Sequence, residues 1–458
     1  MGGASTSLGA DLSSMSLNPA GLGMYRRNEI SLTPLVPMAK ASTAGTASWK
    51  GNSKSQFAFA NVGVALNVFE SSRSSLTSLT LGIGMNRIAD FNSRYSFSSE
   101  SRYDPDRPDR LMPTIADIFS QQMNNFGVRP DREAEGGGPN GPVPVDAWNP
   151  NVWPAILGGN INNILYFGAS IGIQSVHKKL GVTYQEEYGY FNTDGIGHDG
   201  SGNALAEQLD VMNLYQEMEM NGSGVNFKLG FTARPLTGLR VGVAFHTPTY
   251  YSLDRKFQSA AAGLAYANND TDPNVTPDKD GYISTANDPN MTSPLLVDDG
   301  PNGWSFVSPT RLMFGASYTF GERGVISVDY ERDWYNGIRI KDNPSGLDSQ
   351  SWYNDSFRQN FKASNIVRVG AEFKPLPVLS LRAGFGYSGS MVRDDEFPPA
   401  SPVIKQTTYY GAGVGFVLSR GVLLDLAYQY VSSKLSDYYL FYAEDKVGYT
   451  ESALYSTD

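Results

Sequence analysis

The sequence predicts an all-β transmembrane protein, a 14-stranded antiparallel outer-membrane β-barrel plugged by a short N-terminal segment. Three observations predict this fold. From about Asn28, strand-length segments alternate apolar residues with small or polar ones. The connections between these segments alternate between short turns and long polar loops. Only residues 2–23 break the pattern, with many small residues and Leu8, Leu12 and Met15 at helical spacing.

The composition agrees with a closed β-architecture. The 458 residues include 48 Gly, 26 Tyr and 23 Phe, and only 18% are charged. The absence of Cys excludes disulfide frameworks, thiolate metal sites and Cys nucleophiles. The net charge of −10 and the lack of a basic face argue against nucleic-acid binding. No run of 18 apolar residues predicts a transmembrane helix.

The lengths of the connections are the strongest evidence from the residues themselves. Segments 165–176 and 180–191 are predicted to pair across the short link 177–179, and later segments pair across similarly short turns. The long connections lie at about 99–162, 193–211, 262–307, 335–362, 390–406 and 434–449. Only the first link, near 50–55, is shorter than this rule requires. Tight turns at one rim and long loops at the other are typical of transmembrane barrels.

The two faces of the strands follow the same logic. Ile326, Val328 and Tyr330 alternate with Ser327, Asp329 and Glu331, which separates a lipid-facing side from a lumen-facing side. Aromatic residues near strand ends are expected to form interfacial girdles: Phe320, Tyr330, Phe373 and Tyr430.

About thirteen complete strands can be counted, and an even number is expected in a bacterial single-chain barrel. We therefore expect the last strand to be incomplete, with only its beginning present at 449–458. The opening helix is expected to stop at Asn18, because Pro19 disfavours helical geometry at the residue before it. A turn is predicted to follow.

Three segments carry a family resemblance. The N-terminal run ends in Asn18, Pro19, Ala20 and Gly21 and resembles the hatch signature of the outer-membrane long-chain fatty acid and hydrophobic compound transporter family (FadL-like). The strand–turn–strand segment 230–249, which ends in His-Thr-Pro-Thr, is similar to that family, as is segment 368–384. The three segments sample the whole chain.

This resemblance implies a hatch over residues 1–27 and a barrel over residues 28–458. It also implies passive uptake of hydrophobic small molecules, such as long-chain fatty acids, which leave sideways through a gap at a kinked third strand. Gly82 and Gly84 in the predicted third strand weaken pairing locally. The loops at 99–162 and 262–307 depart from the family in size and composition.

A ligand-capture surface is predicted in the first long loop. Five apolar residues share one face of a predicted helix: Ile115, Ile118, Phe119, Met123 and Phe126. Trp148 and Trp153 follow downstream at less regular helical spacing. Exposed apolar patches often mark binding sites. The alternative, which we favour, is that this face packs on a neighbouring loop, because an isolated helix of this length needs burial.

The lumen contributes polar candidates, Arg240, His246 and Arg382. The two arginines either bind a carboxylate head group or hold the plug, and mixed charges in the lumen favour the structural role. His246 as the base of an esterase is disfavoured because no Ser-centred motif accompanies it.

The chain is therefore predicted to be a non-enzymatic transporter of a Gram-negative outer membrane. Neither a cofactor nor a metal is expected. The expected partners are a hydrophobic small molecule or lipid and the outer-membrane lipids. An alternative function is that of a surface docking partner for another envelope protein, without transport.

Overall fold

The computed structural model describes residues 1–38, 43–44, 48–52, 57–87, 93–98, 103–104, 107–111, 141–145, 147–148, 151–187, 208–266, 282–284, 296–342, 350–393, 404–435, 438–439 and 454–457. Most of these residues belong to one antiparallel sheet of 18 strands. Within the described ranges, no helix is both long enough and apolar enough to span a membrane.

The first strands are β1 (Glu29–Leu35), β2 (Thr43–Ala44), β3 (Ser48–Asn52), β4 (Ala58–Glu70), β5 (Leu76–Arg87), β6 (Ser93–Ser98), β7 (Tyr103–Asp104), β8 (Arg107–Leu111), β9 (Gly141–Val145) and β10 (Ala147–Trp148). The next are β11 (Asn151–Ile161), β12 (Leu165–Glu187), β13 (Gln208–Leu236), β14 (Leu239–His246), β15 (Tyr250–Tyr266), β16 (Tyr282–Ser284), β17 (Leu296–Val307) and β18 (Thr310–Phe320). The last are β19 (Gly324–Trp334), β20 (Arg339–Asp342), β21 (Ala363–Leu376), β22 (Leu379–Ser388), β23 (Ile404–Ser419), β24 (Val422–Leu435), β25 (Tyr438–Tyr439) and β26 (Leu454–Thr457). The helical elements are the 3₁₀ turns Leu12–Met15, Pro19–Met24 and Tyr335–Gly337 and the helix α1 (Gln350–Asn360).

Backbone pairing gives the order of the wall. It runs β1-β4-β5-β11-β12-β13-β14-β18-β19-β21-β22-β23-β24. Strands β15, β17 and β20 continue the paths of β14, β18 and β19 beyond short breaks, and they pair in the order β13-β15-β17-β20. In the described pairings, β1 and β24 each have one partner, so they form the two edges of an unclosed sheet.

The alternation of short and long connections is confirmed. Tight turns lie at 71–75, 162–164, 237–238, 321–323, 377–378 and 420–421, all at one end of the wall. The expected exception near 50–55 is wrong, because β1 ends at Leu35 and the link to β4 spans 36–57. Pro34 and Pro37 explain the early end, since proline cannot donate to a strand ladder.

Two predictions around residues 148–191 are wrong. Segment 177–179 is not a turn, because β12 runs without a break from Leu165 to Glu187, and Lys178 pairs with Met220. Its polar residues continue the strand beyond the apolar band and lack turn-forming Gly, Pro or Asn. Segment 148–157 is not helical, because β11 occupies Asn151–Ile161 as a wall strand. The two predicted strands 165–176 and 180–191 are thus one strand, β12, while β11 was not predicted as a strand. These two errors cancel, so the wall still has thirteen strands.

The two faces of the wall are as predicted. Ile326 and Val328 are each 46% exposed, whereas Ser327, Asp329 and Glu331 on the other face are at most 1% exposed. The girdle aromatics are also exposed on the outward face: Phe320, Tyr330, Phe373 and Tyr430. This outward face would be unstable in water and suits contact with lipid.

The two ends of the chain differ from expectation. The first 3₁₀ turn begins only at Leu12, and a second one starts at Pro19, where we had predicted a turn. Proline is well tolerated as the first helical residue, since its missing N–H has no helical partner to lose. At the other end, β26 pairs with β2 and β25 in a separate small sheet and not with the wall strands in the described pairings.

Candidate functional site

Residues 1–27, which we call the N-terminal segment, lie against the inward face of the wall. Its buried apolar residues form a small cluster with the wall residue Ala65: Leu12, Met15, Leu22 and Tyr25. Burial raises the pKa of the Tyr25 hydroxyl, so the protonated phenol donates to Glu29 over 3.3 Å. The segment is therefore a packed element with its own core.

The N-terminal segment rests on a row of glycines, one on each wall strand from β5 to β22 except β19, which we call the glycine belt. Its members are Gly82, Gly158, Gly168, Gly230, Gly242, Gly315, Gly370 and Gly384. A methyl group at any of them would lie within 3.0 Å of an atom of the N-terminal segment. Only glycine allows this close approach of two backbones. The small residues predicted for the lumen face thus serve a specific contact.

Asn18 organises the middle of the segment. Its side-chain oxygen accepts from the Ala20 N–H at 3.1 Å, which caps the second 3₁₀ turn. Its amide donates to the Thr6 carbonyl at 2.6 Å and to the Thr232 hydroxyl of β13 at 3.2 Å. The hatch-like motif therefore holds together two parts of the segment and fastens them to the wall.

Two buried wall side chains bind the backbone just before Asn18. The Lys228 ammonium donates to the Ser16 carbonyl at 3.0 Å. His246 Nε2 lies 2.7 Å from the Leu17 carbonyl oxygen, which identifies Nε2 as the protonated ring nitrogen. In this structure, His246 therefore contacts the N-terminal segment directly.

The third attachment is on β19. The Asp329 carboxylate accepts from the Thr6 N–H at 2.7 Å and is 1% exposed. Next to it, Glu331 pairs with Arg368 at 2.5 Å and with Arg311 at 3.7 Å. A carboxylate in this position is stabilised by the hydrogen bond and by neighbouring cations. We call Lys228, His246 and Asp329 together the anchor side of the lumen.

On the inward face of β5, two glycines lie between the buried polar residues Thr80 and Asn86. Three glycines of β4 and β5, which we call the glycine window, face the Met15 side chain: Gly63, Gly82 and Gly84. A methyl group at Gly63 would lie 3.1 Å from the Met15 methyl carbon, and one at Gly82 would lie 2.9 Å from the Met15 sulfur. No wall side chain separates Met15 from the backbone at these positions.

The wall ladder is interrupted next to this window. Strands β5 and β11 pair at Asn151–Val152 and again from Ala155, in one register. The two intervening residues of β11, Trp153 and Pro154, have no partner on β5 in the described pairing, although both pair with β12. Pro154 has no N–H to donate. The place where backbone bonding lapses therefore coincides with Gly84, opposite Pro154 in the register.

An apolar hollow lies on the outward side of β4 and β5. Its volume is about 380 Å³. The lining residues are Val62, Gly63, Val64, Leu66, Leu81, Ile83 and Gly84. Gly63 and Gly84 belong both to this hollow and to the glycine window. The backbone of these two glycines is thus all that lies between Met15 and an outward apolar surface.

The predicted capture residues are not brought together by the described structure. Ile115, Ile118, Phe119, Met123 and Phe126 lie outside the described residues. Trp148 belongs to β10 and pairs with His177, whereas Trp153 belongs to the wall strand β11 and pairs with Ile173. Trp153 is therefore a wall residue and not part of an outer loop.

The two candidate arginines differ. Arg382 pairs with Glu372 at 2.6 Å and also with Asp425, so its charge is already balanced. Arg240 lies on the inward face of β14 and has no ion pair among the described residues. Of the two, Arg240 is the one whose charge is not matched by a described carboxylate.

Sequence reasoning missed Met15, Pro154 and the glycine belt as parts of one site. A signal for the belt was present, since glycines recur at alternate positions of the strands. The role of Pro154 in the wall was missed because segment 148–157 was interpreted as helical.

The fold is similar to those of several solved structures. The toluene transporter TbuX of Ralstonia pickettii superposes with a TM-score of 0.52, 15% identity, and coverage of 95% of this chain and 92% of that one. A Pseudomonas aeruginosa FadL homologue gives 0.50, 12% identity, and coverage of 99% and 92%. A variant of TodX, described as a monoaromatic hydrocarbon channel, gives 0.51, 14% identity, and coverage of 94% and 91%.

The chain has the fold of the FadL-type channels. Neither a protein-family model nor a relative of curated function matches the sequence. This fold and the apolar outward band agree with the location that the sequence predicts, an outer membrane.

Proposed function

We propose that this chain is a passive channel for hydrophobic small molecules, in which residues 1–27 act as a hatch. The ligand passes the hatch and leaves sideways through the wall at the glycine window. The observation that carries the proposal is the alignment of Met15, the paired glycines Gly63 and Gly84, and the apolar outward hollow. An apolar ligand following this line would stay out of water at every point.

The interrupted ladder supports the position of this exit. Opening a continuous ladder breaks backbone hydrogen bonds in an apolar environment. Each broken bond costs about 4–6 kcal/mol. At Trp153 and Pro154 those bonds to β5 are already missing. A gap can therefore widen here at lower cost than between β18 and β19, whose ladder pairs all eleven residues of each strand.

The substrate class is proposed from the neighbours of the fold. They include a toluene transporter and a monoaromatic hydrocarbon channel as well as a FadL homologue. We propose monoaromatic hydrocarbons or long-chain fatty acids, because both are apolar enough for the Met15 path. Closure of the wall by a fourteenth strand between β24 and β1 is part of the same proposal and predicts slow amide exchange along β24 in the membrane.

The test is uptake of radiolabelled toluene and oleate by Gram-negative cells that lack their own transporters for these compounds. Cells that express the chain should take up at least one probe faster than cells carrying an empty vector. A protonophore should leave the initial rate unchanged, because the process is passive. Equal rates with and without the protein for both probes would contradict the proposed function, provided that the protein is folded in the outer membrane.

A further inference from the structure

The outward face of the wall contains one exception to its apolar character. On β19 the outward residues are Ile326, Val328, Tyr330, Arg332 and Trp334. Arg332 is the one charged residue in the apolar outward band, counted over the described side chains of the wall strands from the tight turns to the upper aromatic residues. An arginine at the middle of such a band is unfavourable by about 2–4 kcal/mol, and near its boundary by at most about 1 kcal/mol.

The height of Arg332 resolves this conflict. It lies eight residues beyond Gly324, the first residue of β19 after the tight turn. With about 3.3 Å per residue and a strand tilt near 40°, this corresponds to roughly 20 Å along the membrane normal. The apolar band of a barrel is about 25 Å tall. Arg332 is therefore near the boundary on the long-loop side, which faces the cell exterior.

Neighbouring side chains hold the guanidinium in place. Arg332 Nη1 donates to the Asn365 side-chain oxygen at 3.3 Å, and Tyr330 donates to the same oxygen at 2.7 Å. The guanidinium carbon lies 5.9 Å from the centre of the Trp334 ring. No carboxylate pairs with Arg332 among the described residues. Most of its five donors thus remain available for an anion.

A second outward cation lies farther from the tight turns, on β20. The Lys341 ammonium lies 5.0 Å from the ring centre of Tyr250, whose side chain is 50% exposed on the outward face. The 3₁₀ turn Tyr335–Gly337 lies between Arg332 on β19 and Lys341 on β20, so the two cations are close in sequence. Below Arg332, exposed valines such as Val328 and Val367 offer apolar surface to acyl chains.

We propose that Arg332, supported by Asn365 and Trp334, binds a phosphate group of the outer-leaflet glycolipid, lipid A. The planar guanidinium matches phosphate in a bidentate geometry. The apolar wall below it accommodates acyl chains, which free phosphate does not have. This site is independent of the lumen and of any transported molecule.

The test measures binding of bis-phosphorylated lipid A to the detergent-purified full chain by native mass spectrometry. Arg332→Gln should weaken the apparent Kd about fivefold, as expected for one cation at an anionic surface. Arg332→Lys should give a smaller loss, because a lysine keeps the charge and loses the bidentate geometry. Arg323→Gln is the matched control, since Arg323 is an exposed arginine in the tight turn at the other end of β19.

Three outcomes would overturn the proposal. The first is an unchanged Kd for Arg332→Gln in protein that retains the heat-modifiable migration of a folded barrel. The second is an equal loss for dephosphorylated lipid A, which would show that Arg332 does not contact phosphate. The third is equal competition by phosphatidylglycerol, which would assign the site to phospholipids and not to the glycolipid.

Discussion

The two sides of the lumen hold the same N-terminal segment in different ways. On the anchor side, Lys228, His246 and Asp329 bind backbone atoms of the segment through directional hydrogen bonds. At the glycine window, the Met15 side chain lies against glycines and packs in an apolar cluster with Leu12, Leu22 and Ala65. Hydrogen bonds fix a geometry, whereas contact between small apolar surfaces does not. The proposed hatch uses this difference: the segment stays held at the anchor and shifts at the glycine window.

The wall strands on the two sides also differ in how completely their backbones pair. Next to Asp329, β19 pairs with both neighbours along its full length. Next to Met15, β5 lacks partners opposite Trp153 and Pro154. A path through the wall is therefore expected on the side where both the segment and the ladder are weakly held.

Removal of the segment should have the largest effect. Deletion of residues 2–20 should leave a folded barrel, because the wall strands pair with each other and not with the segment. Cells with this variant should admit a hydrophilic antibiotic that the outer membrane normally excludes, as measured by the inhibitory concentration. Loss of heat-modifiable migration on gels would instead mean that the segment belongs to the folding core.

A smaller but more specific effect is expected for Met15→Ala. The change empties the glycine window and should increase the initial uptake rate of the transported probe. It should also destabilise the docked segment by about 2–5 kcal/mol, as expected for a fully buried methionine. Leu12→Ala is the matched control, since Leu12 belongs to the same cluster but does not face the window. Equal uptake by both variants would argue against an exit at this position.

The smallest effect is expected on the anchor side. Asp329→Asn replaces a charge-assisted hydrogen bond from the Thr6 N–H with a neutral one, at a cost of about 1 kcal/mol. Amide exchange at Thr6 should accelerate roughly fivefold, which follows from the same free energy at 25 °C. Asp425→Asn is the control, because Asp425 pairs with Arg382 and makes no described contact with the segment. Unchanged exchange in Asp329→Asn would remove Asp329 from the anchor.

Part of this picture was predictable from local pattern. The alternation of Ile326 and Val328 with Ser327 and Asp329 defines two faces wherever one face is buried. Several tight turns follow from their Gly and Pro content, as at 237–238 and 321–323. These features depend on neighbours in sequence, and the structure confirms them.

Other features depend on distant contacts. His177 and Lys178 look like a turn, yet β13 extends far enough to pair with them in a strand of 29 residues. Pro154 disrupts a ladder only because β5 lies beside it. The packing role of the belt glycines is visible only with the N-terminal segment in place against them. Register between strands far apart in sequence decides these cases, and no local pattern contains it.

Reversible cross-links on the two sides of the lumen test the central claim most directly. The chain contains no cysteine, so each engineered pair is the only source of a disulfide. Ser7→Cys with Gly242→Cys joins the segment to β14 next to the anchor, and a methyl at Gly242 would lie 2.9 Å from the Ser7 Cα. Leu22→Cys with Gly158→Cys joins it to β11 beside the window, where the two Cβ positions are 2.6 Å apart. Because a Cβ at either belt glycine lies closer to the segment than a side chain allows, each site has to widen, and the reduced form of each variant is its own reference.

Uptake of the transported probe is then compared before and after oxidation, and again after reduction. The account predicts that oxidation of the Leu22–Gly158 pair stops uptake and that reduction restores it. Oxidation of the Ser7–Gly242 pair should leave uptake at its original rate. Equal inhibition by both cross-links, or uninterrupted uptake with the Leu22–Gly158 pair fully oxidised, would contradict a hatch that is fixed at the anchor and opens at the glycine window.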